Sequence, residues 1–138
     1  MDELLREFVG ETLDAMDAVA GDLVAWEADP ADRSAIDRIF RTVHTVKGSS
    51  SFFDLPRITA LAHAAEELLD ALRSRKRSPD RTSVATVLAG FEAIRTLTQA
   101  VAETNREPAG DDRAVIEALS VDVRGRRDAL EGDEADVP

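Results

Sequence analysis

The chain has 138 residues, no cysteine and a formal net charge of −11. Without cysteine there is no disulfide, thiolate nucleophile or cysteine-held zinc, and the negative charge argues against nucleic acid, whose phosphates it would repel. Apolar residues make up 43% but aromatics only 4%, with no tyrosine; this favours helices over strands in a chain able to bury roughly 70% of its unfolded surface.

The first element runs from Asp2 to Trp26. Leu5, Phe8, Val9, Leu13, Met16, Val19, Leu23 and Trp26 recur at helical spacing and make one buried stripe. Asp29-Pro30 is a stop and turn signal. The second helix starts near Asp32 and runs to about Phe53, with Ile36, Ile39, Phe40, Val43 and Val46 inward. Asp54-Leu55-Pro56 breaks it, and Pro56 suits the first turn of a third helix reaching Arg73. That helix buries Ile58, Leu61, Ala62, Ala65, Leu68, Leu69 and Leu72. Arg73, Arg75, Lys76 and Arg77 crowd its C-terminal end. They read as solvated cations that offset the helix dipole, or else as a docking patch for an acidic partner.

Ser78-Pro79 reads as an N-cap and first-turn proline for a fourth helix, which extends to about Asn105. Its inward residues are Val84, Val87, Leu88, Phe91, Ile94, Leu97, Thr98 and Val101. Glu107-Pro108-Ala109-Gly110 reads as a linker. A fifth, weaker helix spans 111–130, with Val115, Ile116, Leu119, Val123 and Leu130 on one side. Residues 131–138 have the composition of an acidic flexible tail or linker. Long helices with short connections predict an all-α, antiparallel up-and-down four-helix bundle over 1–105, with the fifth helix appended to give one domain of 1–130.

No apolar run approaches the roughly 20 residues of a membrane span. Residues 1–11 are acidic and lack the basic and apolar regions of a signal peptide. A cytoplasmic protein, with no membrane partner and monomeric as a single domain, is the expectation. The linker-like tail suggests an N-terminal module of a longer protein.

His44 lies on the second helix about 100° from the centre of its apolar stripe, at the boundary of core and water. Lys47 and Gly48 follow within one turn, and Arg41 precedes. Lys47 and Arg41 are cations within reach of an anion attached to the imidazole. Glycine inside a helix costs about 1 kcal/mol against alanine, so Gly48 points to a need for clearance. On the third helix Glu66 is also about 100° off-centre, in the same rotational sense. Two antiparallel neighbours with equal offsets converge on one groove. Glu66 is thus placed to accept a hydrogen bond from one ring nitrogen of His44, fixing the tautomer and freeing the other nitrogen as a nucleophile. His63, one turn earlier, can line the same site or merely pack over the rim or bond locally.

The serines at 49–51 lie mid-helix with no relay beside them, so they point to packing rather than hydrolysis. His63 and Glu66 share a face, but two ligands do not make a metal site. No glycine-rich phosphate loop is present, so no ATP site is read in this chain.

H-T-V-K-G-S-S-S-F-F at 44–53 resembles the phosphoacceptor motif of histidine-containing phosphotransfer (HPt) domains, and most closely those of CheA-type chemotaxis kinases. Residues 55–70, L-P-R-I-T-A-L-A-H-A-A-E-E-L-L-D, are similar to that family's next helix. The resemblance covers about residues 1–105. It implies His44 as phosphoacceptor on the nitrogen remote from the backbone. It further implies Glu66 as its orienting acid, Lys47 as the phosphate-neutralising cation, Gly48 as the open approach and His63 as an auxiliary member. This chain departs from the pattern at Ser49, Ser50, Ser51 and at Phe53-Asp54, where glycines are frequent. That bears on the shape of the docking surface.

The implied function is phosphoryl relay within a chemotaxis or other two-component system. A histidine kinase catalytic domain, in the same or another chain, supplies ATP and magnesium. A response-regulator receiver domain, with its own magnesium, takes the phosphoryl group on an aspartate. The domain itself needs no cofactor and is a phosphocarrier rather than a complete enzyme. Two other readings keep the same fold: a non-catalytic adaptor bundle, and a degenerate domain that binds regulators without accepting phosphate.

Overall fold

The computed structural model describes residues 2–123. They form α1 (Glu3–Ala28), α2 (Arg33–Phe52), α3 (Pro56–Arg73) and α4 (Arg81–Thr104), then a fifth helical segment at 113–123. Among the described residues there is no strand. The expected stretch of that fifth helix beyond 123, and the acidic tail at 131–138, lie outside the described residues. Each long helix packs on its neighbours in the cycle α1–α2–α3–α4–α1, the arrangement that short connections between long helices impose.

The apolar stripes do become the core. All seven positions expected from α3 are buried, with Ala64 and Ala71 beside them. In α1, Phe8, Val9, Met16, Val19 and Trp26 are buried while Leu5, Leu13 and Leu23 pack around the rim. Trp26 is wholly enclosed, and its indole N–H donates to Pro30 O at 2.9 Å, which ties the α1–α2 turn to the core. No buried side-chain nitrogen or oxygen among the described residues is left without a hydrogen-bond partner.

Three details differ from the sequence expectations. The N-cap of α4 is Asp80, not Ser78. Its carboxylate accepts from Ser83 N at 2.9 Å, and the Ser83 hydroxyl oxygen accepts from Asp80 N in a capping box. The carboxylate immediately after Pro79 offers a stronger acceptor at the dipole's positive end.

The stretch 107–110 is more than a connection. α3 has no side-chain cap of its own. Instead the Glu107 carboxylate accepts from Arg57 N at 3.0 Å and Ile58 N at 2.7 Å, capping α3 from across the bundle. Arg57 then grips Asp112 through two nitrogens and donates to Pro108 O. Its pKa is raised further by the Asp112 hydrogen bond, against the opposing effect of burial.

The cations after α3 are not all solvated. Arg75 and Lys76 are exposed. Arg77 instead turns inward, where Asp122 of the fifth helical segment meets it at 2.5 Å. The last carbonyls of α3 are met from α2: Arg33 donates to Leu72 O and Arg73 O.

The α2–α3 turn needs a left-handed residue, and Asp54 supplies it at φ 58°. An L-residue with a Cβ is strained there, whereas glycine is not. Asp54→Gly is expected to stabilise the domain by about 0.5–1 kcal/mol, read as an increase in Tm of about 2–4 °C in calorimetry.

Candidate functional site

α2 and α3 carry the site. His44 stands on the outer edge of α2 with 62% of its side chain exposed. Its Nδ1 lies 3.0 Å from Glu66 Oε2 on α3. Lys47 Nζ, one turn further along α2, donates to Glu66 Oε1 at 2.8 Å. A single carboxylate therefore serves both groups, one on each oxygen. Glu66 is largely enclosed, with 16% of its side chain exposed, and Lys47 is half-buried at 28%.

Burial pushes the Glu66 carboxyl up, but hydrogen bonds and charge from Lys47 and His44 outweigh it and hold the group below its ordinary value. Glu66 is thus ionised near neutrality, and an ionised carboxylate can only accept. The proton between the two groups must then sit on His44 Nδ1. That tautomer leaves the lone pair on Nε2, which has no hydrogen-bond partner among the described residues.

A second constraint holds the ring plane. Phe40, one turn back on α2, stacks against the imidazole with centroids 6.0 Å apart and planes 10° from parallel. The Arg73 guanidinium lies 4.0 Å over the Phe40 ring and is itself held by Asp37 at 3.0 Å. The Glu66 bond acts in the ring plane and the stack acts across it, so both rotations of the side chain are restrained.

Of the residues singled out in the sequence, the fold brings His44, Lys47 and Glu66 together. His63 is not joined to them. It is exposed, and its Nε2 pairs with Glu67 Oε1 at 3.1 Å, one turn on along the same face of α3. It lines a separate groove with Ser51, Asp54, Leu55, Pro56 and Thr59. Arg41 turns away toward Asp37, at 3.0 Å. Nothing lies within 4 Å of where a Cβ on Gly48 would stand, so the clearance at this glycine faces outward rather than into the bundle.

Ser50 is fully buried and bonds to Lys47 O and to the Thr59 hydroxyl, which pins α2 to α3 near the site. The Phe40 stack is a feature that apolar periodicity hides, because Phe40 also serves the core. Its position four residues before His44 is the signal that reveals it. Among the described residues no cluster of three or more histidine or acidic side chains could hold a metal ion. No described helix is long and apolar enough to cross a membrane.

Comparison with known proteins gives a consistent picture. The family model described as Hpt domain matches residues 3–107. The chain is 32% identical over 96 residues to the chemotaxis protein CheA of Treponema pallidum, covering 70% of this chain and 12% of that protein. It is 33% identical over 122 residues to the sensor histidine kinase CheAY of Helicobacter pylori, covering 86% and 15%. The chain therefore spans less than a fifth of the length of these relatives. Among solved structures it resembles the phosphorylated P1 domain of CheA3 in complex with CheY6 from R. sphaeroides. That match has a TM-score of 0.83 and 25% identity, and it covers 91% of this chain and 98% of the other.

Proposed function

The chain belongs to the Hpt domain family, and from that premise we propose that it is the phosphocarrier of a chemotaxis-type relay, with His44 as the residue that carries the phosphoryl group. The observation that supports this most is the single carboxylate on His44 Nδ1, which leaves Nε2 nucleophilic and in the open.

In the first step Nε2 attacks the γ-phosphorus of ATP held by a histidine kinase catalytic domain. The Nε2–P bond forms, the bond to the bridging oxygen breaks, and ADP leaves. The ring gains positive charge as it gives up its lone pair, and Glu66, already ionised beside Nδ1–H, stabilises that charge. Lys47 uses one of its three donors on Glu66, and two remain for a phosphoryl oxygen. In the second step an aspartate oxygen of a response-regulator receiver domain attacks the phosphorus. The N–P bond breaks and its electron pair returns to Nε2. ATP and magnesium belong to the partners, and the bundle supplies the nucleophile and its orientation.

The test is to treat the chain with a CheA-type kinase domain and labelled ATP. An acid-labile, base-stable phosphate, assigned to Nε2 of His44 by ³¹P–¹⁵N NMR, is the expected result. An adaptor bundle would take no label, and label on any other residue would refute the assignment.

Glu66→Ala is expected to slow labelling by about 100-fold while leaving its position unchanged, as measured in single-turnover assays. The same carboxylate gives a pH signature. Its folded pKa is depressed, so its bonds contribute stability in full above the unfolded-chain value of about 4.3, and that contribution disappears as pH falls through the lower folded value. The stability difference between the wild type and Glu66→Gln should shrink over that acid range in denaturant titrations at stepped pH.

A further inference from the structure

The outer face of α2 carries one feature that the relay chemistry does not use. Phe52 is 76% exposed. It lies eight residues after His44, with Gly48 between them at the midpoint. Positions i, i+4 and i+8 form one ridge along a helix, and all three are exposed. The ridge is thus an imidazole, an empty notch where nothing lies within 4 Å of a Cβ position, and an aromatic ring. From Gly48 to Phe53 the sequence bears no charge, in a chain that is 33% charged.

Phe52 is also restrained. Its ring meets Phe53 edge-on at 5.0 Å, and Phe53 meets the buried Phe8 at 5.3 Å. The ring is braced through that chain to the core, so little side-chain freedom remains to be lost on binding. Among the large apolar side chains exposed in the described residues, Phe52 is the most exposed, and it is the one on the helix of His44.

We infer that Phe52 is the apolar anchor for the receiver domain. The inference rests on the phosphotransfer reading, and geometry links the two. Eight helical residues span about 12 Å. A standard interface covers about 800 Å² per partner, a disc of roughly 16 Å radius. A receiver whose interface is centred on His44 therefore covers Phe52 as well. The matching partner surface is uncharged and apolar where it meets the ring. A kinase domain joined to this one in the same chain meets His44 at high effective concentration and needs no such anchor. A receiver arriving from solution does.

The experiment uses the complete chain as wild type, Phe52→Ala and Phe52→Leu. Each is phosphorylated with phosphoramidate and mixed with purified receiver domains from the source organism, and phosphoryl transfer is followed against receiver concentration. Because Phe52 is exposed, melting temperatures should coincide. The expected result is that Phe52→Ala raises KM for the receiver by roughly 30-fold with the limiting rate kept, while Phe52→Leu restores most of the loss. Unchanged KM in Phe52→Ala would overturn the inference and leave the relay standing. So would a loss confined to labelling by a CheA-type kinase domain. Failure of the wild type to take phosphate on His44, or to pass it to any receiver, would bring down the phosphotransfer reading itself, and the anchor with it.

Discussion

In His44→Gln protein, labelling by kinase and ATP falls to background while the helical content and Tm stay close to wild type. The two halves of this expectation have separate causes. Glutamine has no ring nitrogen lone pair, so no atom at that position can attack phosphorus. The structural cost is small because the side chain is 62% exposed and loses one hydrogen bond and one stack. Each is worth about 1 kcal/mol or less at such a site. Glutamine can still offer its amide N–H to Glu66, so the carboxylate keeps a partner beside Lys47. Radiolabel counting and circular dichroism on the same sample decide the matter. Persistent label in the variant would remove His44 from the role of acceptor, and loss of the fold would show that the imidazole holds the bundle together.

A second substitution should act on stability and spare the chemistry. Asp122→Ala is expected to cost about 3–5 kcal/mol, because it leaves the Arg77 guanidinium buried without its counter-charge. Only 5% of the Arg77 side chain and 7% of the Asp122 side chain are exposed. Asp122 accepts from Arg77 through both its carboxylate and its backbone carbonyl. Asp80, 3.5 Å from Arg77, keeps some of the charge balanced and sets the lower end of that range. Removing both members is a sharper test. Arg77→Met with Asp122→Leu deletes the buried charges together and should recover much of the loss, since apolar replacement of a buried pair is often neutral. Urea titration measures each variant. The pair lies at the joint between α3, α4 and the fifth helical segment, so native-state hydrogen exchange in Asp122→Ala should rise first in that segment and last around His44.

Most of the bundle was legible in the sequence because burial is written in a local code. Period-3.6 spacing marks one face of a helix, and α3 buries every position it marked. The same arithmetic placed Glu66 opposite His44, since equal offsets from two packed stripes meet in one groove, and the bond at 3.0 Å follows. His63 shows the limit of the method. It was expected to line the site of His44 and Glu66 or to bond locally, and it pairs locally with Glu67, four residues on.

What the sequence determined by itself was the helices, the faces they bury and the edge on which the imidazole stands, because each depends on residues within a turn or two. Only the tertiary structure decided which charges pair across the bundle. Glu107 caps α3 from 50 residues away, and Asp122 meets Arg77 from 45. The chain holds 28 acidic side chains against 17 basic ones, and no periodicity distinguishes the carboxylate that will be enclosed from those left in water. That choice depends on where the packed helices bring backbone donors and guanidinium groups out of reach of solvent, which is a property of the assembled core rather than of any one segment.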